Sequence, residues 1–140
     1  MKYWDASALV PLLVNESRSR DAKSLLVQDS DIVTWTLSHV EVVSAIERRA
    51  RDGAVSSSGR INLIGKAHRM FQGIHQVEDV VRVRNGCFSL VARYPLRSAD
   101  AQQLSAALVL ANGQPQGVDF VCFDERLADA ASREGFVVLS

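Results

Sequence analysis

The chain has 140 residues, the size of one compact domain spanning 1–140 around a single sizeable core. Its composition, 47% hydrophobic and 23% charged, is that of a globular protein, and sixteen basic residues balance sixteen acidic ones, so any polyanion must be met by local patches. Two cysteines without C-x-x-C spacing argue against a disulfide framework or structural zinc and suit a reducing cytoplasm; no apolar run reaches membrane-spanning length, and the N-terminus lacks a signal-peptide layout.

Lys2 to Asp5 reads as a short first strand, followed at once by a helix over Ala6–Val14 and a second over Ser17–Gln28. Ile32-Val33-Thr34-Trp35 is β-branched and aromatic, as a buried strand requires. Leu37 to Arg51 carries Val40, Val43, Ile46 and Ala50 at helical spacing and stops at Asp52-Gly53. Ser56-Ser57-Ser58-Gly59 marks a helix start, and Ile61, Ile64, Met70 and Phe71 continue that helix. A strand is expected around Val77 to Val83, then a short helix over Cys87–Arg93, ended by Tyr94-Pro95. Ser98 to Ala111 is a clearer helix, closed by Asn112-Gly113. Val118–Phe123 reads as a strand, Glu125–Arg133 as a helix, and Phe136–Leu139 as the last strand. Strands alternating with helices predict an α/β domain with a mostly parallel central sheet covered on both faces. Ligand sites in such sheets form beyond the carboxyl ends of the strands.

Four acids stand where that rule points. Asp5 ends the first strand and Asp124 the fourth, and both also precede helices, so each taken alone reads first as a helix N-cap. Asp100 precedes Leu104, Ala107, Leu108 and Ala111 at offsets of four, seven, eight and eleven, which puts it on the apolar stripe of its helix. A carboxylate there needs a cation, a donor network or the helix dipole. Glu41 has apolar neighbours on both sides and no basic residue four positions away, although a solvated face also accounts for it. Like charges brought together stay ionised only around a cation. Oxygen donors without a Cys/His set favour magnesium or manganese over zinc, and such ions generate hydroxide and stabilise phosphodiester oxyanions. Ser7 can bond Asp5 or a water, or serve only the backbone.

The stretches Tyr3-Trp4-Asp5-Ala6-Ser7-Ala8-Leu9, Ser38-His39-Val40-Glu41, Tyr94-Pro95-Leu96-Arg97-Ser98-Ala99-Asp100-Ala101 and Val121-Cys122-Phe123-Asp124-Glu125-Arg126-Leu127 resemble the signatures of PIN-domain nucleases. The resemblance is closest to VapC-type toxins of prokaryotic type II toxin–antitoxin pairs and covers essentially the whole chain. It implies a PIN-like three-layer α/β/α fold, with Asp5, Glu41, Asp100 and Asp124 as catalytic and metal-binding residues. It also implies magnesium or manganese dependence and endonucleolytic cleavage of RNA by metal-activated water, leaving a 5′-phosphate and a 3′-hydroxyl. The implied partners are the RNA substrate, a cognate VapB-type antitoxin and a second copy of the chain as a homodimer, in a prokaryotic cytoplasm with no membrane contact. The C-terminal motif of the family often has Thr or Ser two positions before its acid; here that place holds Cys122, a poor ligand for a hard metal. Asp119 is a nearby fifth acid, placed at the entrance to its strand.

Arg48, Arg49, Arg51, Arg82, Arg84, Arg93 and Arg97 offer phosphate contacts or are ordinary solvated charges. Trp4 and Trp35 are expected inside, and Cys87 and Cys122 as small buried residues. His39, His68 and His75 form no metal spacing, and phosphate-loop and serine-hydrolase motifs are absent. The rival from another class is a catalytically inactive PIN-fold module that binds the antitoxin or RNA. A phosphoryl-transfer receiver lacks its acidic pair and late lysine, because the lysines are Lys2, Lys23 and Lys66.

Overall fold

The computed structural model describes residues 1–140. Its elements in chain order are β1 (Lys2–Trp4), α1 (Ala6–Leu13), α2 (Ser19–Gln28), β2 (Ile32–Trp35), α3 (Ser38–Arg51), α4 (Ser57–Gly73) and β3 (His75–Val77). They continue with α5 (Val80–Arg93), α6 (Ser98–Leu110), β4 (Asp119–Val121), α7 (Glu125–Arg133) and β5 (Val137–Leu139). The five strands form one sheet in the order β3-β2-β1-β4-β5, and every pairing is parallel.

Alternation along each strand sends side chains to opposite faces, which divides the core in two. Tyr3, Val33, Trp35, Val77, Phe120 and Cys122 pack under α5, α6 and α7 with Val83, Leu90, Leu104 and Leu127. Trp4, Ile32 and Val121 pack on the other face with Leu9 of α1, Ala22 of α2, Val42 and Ile46 of α3 and Phe71 of α4. This is the expected three-layer α/β/α arrangement. Both tryptophans are buried as expected.

Two expectations are corrected. The apolar run Val77–Val83 is not a strand: β3 ends at Val77, and α5 begins at Val80 and runs through the segment expected as a separate helix over Cys87–Arg93. The Asp79 carboxylate caps that helix by accepting the Arg82 N–H at 3.1 Å. Val83 and Leu90, two turns apart, turn inward while Val80 and Val81 stay exposed, so β-branched composition concealed a helical period. In α3 the buried residues are Ser38, Val42, Ala45 and Ile46, and Val40 is 64% exposed. The helix is rotated relative to the stripe read from Val40, Val43, Ile46 and Ala50, and the rotation brings Val40 and Glu41 to the rim of a cleft.

Strand order reverses direction around β1: β2 and β3 extend to one side of it, β4 and β5 to the other. The topological switch point, where connections diverge to opposite faces, is therefore the crevice beyond the carboxyl ends of β1 and β4.

Candidate active site

Asp5 follows β1 directly, and its N–H donates to the Val121 carbonyl at 3.0 Å, continuing the β1–β4 ladder. Its side chain turns back as the N-cap of α1, accepting from the Ser7 N–H at 3.0 Å and from the Ser7 hydroxyl. The Ser7 oxygen in turn accepts the Phe123 N–H at 2.9 Å, so one serine ties the start of α1 to the loop after β4. The Cys122 thiol donates to Asp5 Oδ2 at 3.6 Å and takes the place beside Asp5 that a hydroxyl often fills. Burial and the neighbouring Asp5 charge push this thiol well above its ordinary range, so it is a neutral donor. Asp124 caps α7, with Oδ1 accepting the Leu127 N–H at 2.9 Å. Both readings of Asp5 and Asp124 thus hold together: they are caps, and they stand at the switch point.

Glu41 projects from the first turn of α3. Its Oε1 accepts from Gln103 Nε2 at 2.8 Å, and the same amide nitrogen donates to Ser38 Oγ at 2.8 Å. Gln103 is fully buried, and its Oε1 accepts the Tyr3 hydroxyl at 2.6 Å. Thr34 Oγ1 donates to the Trp4 carbonyl at 2.6 Å and lies 2.7 Å from Ser38 Oγ. A buried polar chain therefore runs from β1 and β2 through Ser38 and Gln103 to Glu41, fixing a carboxylate whose own helix offers it no partner. Asp100 is half-buried at the start of α6, where Oδ2 accepts the Arg97 N–H at 3.3 Å.

Glu41 and Asp100 line one cleft of about 620 Å³ with Ser7, Arg18, Val40, Arg48, Arg49 and Arg97 among its walls. Asp100 and Asp124 line an adjoining depression of about 570 Å³ with Arg97, Phe123 and Arg126. Asp5 lies beneath, 4% exposed, under Ala6 and Ser7 of the cleft wall. Asp119 is elsewhere: it opens β4, paired with Lys2 and Val137 at the amino end of the sheet.

The acids feel one another. Burial raises the Glu41 carboxyl to about 7; the Gln103 hydrogen bond opposes this, and the charges of Asp5 and Asp100 add to it. Burial likewise raises Asp5, against the pull of the Ser7 hydrogen bonds, and raises Asp100, with Asp124 contributing. None of the four forms an ion pair with a lysine or arginine. Desolvated, unpaired carboxylates of one sign suit a hard divalent cation with oxygen ligands. No three His, Cys, Asp or Glu side chains stand close enough together to hold a metal ion between them in this arrangement. The acids line an open cleft, which fits an ion that keeps several waters.

Several contributors escaped sequence reasoning. Gln103 and Thr34 lie outside the motif stretches, and Tyr3 and Ser38 lie within them without a role of their own being read there; the one available signal for Gln103 is an amide three residues beyond Asp100. Arg18 and Arg126 also join the walls, whereas Arg51, Arg82, Arg84 and Arg93 do not. Arg49 is held by Glu16, with Nε to Oε2 at 2.8 Å and Nη2 to Oε1 at 3.0 Å. His39 and His68, distant in sequence, meet with Nε2 and Nδ1 2.7 Å apart, and His39 stacks on Phe71.

A parallel α/β/α sandwich with an acidic cleft at its switch point defines the class as PIN-like. No family model matches the chain. Among curated proteins it is 28% identical to Ribonuclease VapC47 of Mycobacterium tuberculosis over 144 residues, covering 100% of this chain and 96% of that protein. It is 29% identical to Ribonuclease VapC45 of the same species, covering 95% and 90%, and 26% identical to Ribonuclease VapC3 of Pyrobaculum aerophilum, covering 74% and 78%. The chain is thus similar over most of its length to ribonucleases of the VapC type, and its fold is PIN-like.

Proposed function

We propose that this chain is a metal-dependent endoribonuclease, the toxin of a toxin–antitoxin pair. One observation carries the reading: Glu41 and Asp100 line one cleft, Asp124 lines the depression beside it and Asp5 lies beneath, and none of the four forms an ion pair with a lysine or arginine. The names and near-complete coverage of the relatives support cleavage of RNA. The four acids would hold magnesium or manganese. Such an ion, when bound, activates water and offsets phosphate charge. The rest is supplied by the chain. Arg48 and Arg97 offer side chains to the RNA backbone at the cleft wall. Gln103 holds Glu41 in one orientation, and Ser7 and Cys122 hold Asp5. The substrate phosphate thereby meets groups that need little rearrangement.

The partners in this proposal are RNA, a VapB-type antitoxin and a second copy of the chain. The exposed apolar side chains Val80, Val81, Phe88 and Val91 on α5 support a protein partner. The alternative, a PIN-fold module without turnover, is favoured by the absence of a closed metal cage.

Incubation of the pure chain with RNA and magnesium or manganese separates the two. Cleavage that stops with chelator and falls at least about a hundredfold in Asp5→Asn supports the nuclease. Persistent cleavage in the variant, or none in the unaltered chain beside tight RNA binding, contradicts it.

A further inference from the structure

Phe123 lies between Cys122 and Asp124, the two residues that bracket the end of the β4 edge, and it lines both the main cleft and the adjoining depression. Its backbone is held: the N–H donates to Ser7 Oγ at 2.9 Å, and Ser7 is bonded to Asp5. The ring is half-buried, packed from below on the α1–α4 core. Over its face stands the Arg18 guanidinium, 4.1 Å from the ring centroid, with Nε 3.0 Å from Asp21 Oδ2 one turn along α2. An anchored aromatic platform thus forms the ridge between the two acidic depressions, and a planar cation covers it on a flexible, exposed stem.

We propose that Phe123 and Arg18 form a clamp that stacks one unpaired nucleobase of the substrate between them. The inference rests on the ribonuclease reading and deepens it. Every base has a π-face that stacks on an aromatic ring, and a guanidinium plane stacks equally well on the opposite face. The existing contact is an exposed cation–π pair, and the Arg18–Asp21 bridge is an exposed i,i+3 ion pair, both weak. Insertion of a base exchanges one weak contact for two stacking surfaces. A paired base cannot enter, because its faces are already stacked within the duplex. Stacking at this ridge places the adjoining backbone phosphates over the depressions that hold Glu41, Asp100 and Asp124.

The test measures binding of a labelled single-stranded oligoribonucleotide and its duplex without divalent cation, alongside cleavage by the unaltered chain with manganese. Phe123→Leu is expected to weaken single-strand binding about tenfold and to leave the weaker duplex binding unchanged. Phe123→Trp is expected to retain affinity, with its emission quenched as RNA saturates. Unchanged single-strand affinity in Phe123→Leu, or unquenched emission in a folded Phe123→Trp variant at saturation, overturns the clamp. An unaltered chain that binds through the clamp yet cleaves nothing overturns the nuclease reading instead.

Discussion

Glu41 is a carboxyl of the cleft whose surroundings govern its ionisation. Its carboxyl, raised to about 7 by burial, ionises on unfolding at an ordinary value. The folded state therefore holds the proton more tightly, and this stabilising term is fully present below the unfolded pKa and disappears as pH rises through the folded one. Without divalent cation, the melting temperature is expected to fall between about pH 4.5 and 7, with Asp5 and Asp100 adding in the same direction. Glu41→Gln should flatten that slope and stabilise the cation-free protein at alkaline pH by about 1–2 kcal/mol, after allowance for partial exposure. A melting series on both proteins checks this; an unchanged slope contradicts it. Gln103→Leu acts in the opposite sense. It strands the Tyr3 hydroxyl and releases Glu41, so stability should fall by about 1–3 kcal/mol. The acidic limb of the pH–activity profile should also move to higher pH, since the lost hydrogen bond had lowered the Glu41 carboxyl. Asp5 and Asp124 could be noticed in sequence because strand ends and helix caps have local signatures. Gln103 could not, because its role exists only through partners in β1 and α3.

At the scale of elements, α5 shows where local patterning runs out. The run Val80-Val81-Arg82-Val83 has strand composition, and only the Asp79 cap and the inward spacing of Val83 and Leu90 mark it as helical. Long helices with closing signals, such as α6 before Asn112-Gly113, were legible from end to end; the short parallel strands other than β3 were legible in position but not in length. α5 packs closely on α6. Ser105 Oγ donates to the Val83 carbonyl at 2.7 Å, and a methyl group on Gly86 would run into that oxygen. Gly86→Ala should therefore destabilise by about 1–2 kcal/mol despite its better helix propensity. Adding Ser105→Ala should recover much of the loss, because the obstructing atom is removed. Denaturant melts of the single and double variants check this, and simple additivity would contradict it.

Across the whole molecule, sixteen positive and sixteen negative residues cancel, yet they are not evenly spread. Asp5, Glu41, Asp100 and Asp124 lie about the β1–β4 crevice, and Arg48, Arg49, Arg97 and Arg126 stand on its walls. Composition alone concealed this, because it reports the sum and the fold sets the separation. In the proposed nuclease such a layout would hold metal at the floor and polyanion at the rim, so magnesium or manganese should raise the melting temperature and RNA binding should weaken with salt. The arrangement also predicts that cation binding displaces protons, since the raised carboxyls must ionise to coordinate. Calorimetric titration with manganese at about pH 6.5, in buffers of different ionisation enthalpy, measures binding and proton release together. Saturable binding with release of a fraction of a proton, reduced in Glu41→Gln and abolished with binding itself in Asp5→Asn, is the predicted result. Absence of saturable binding to the unaltered chain, or binding that Asp5→Asn leaves intact, would contradict the four-carboxylate site.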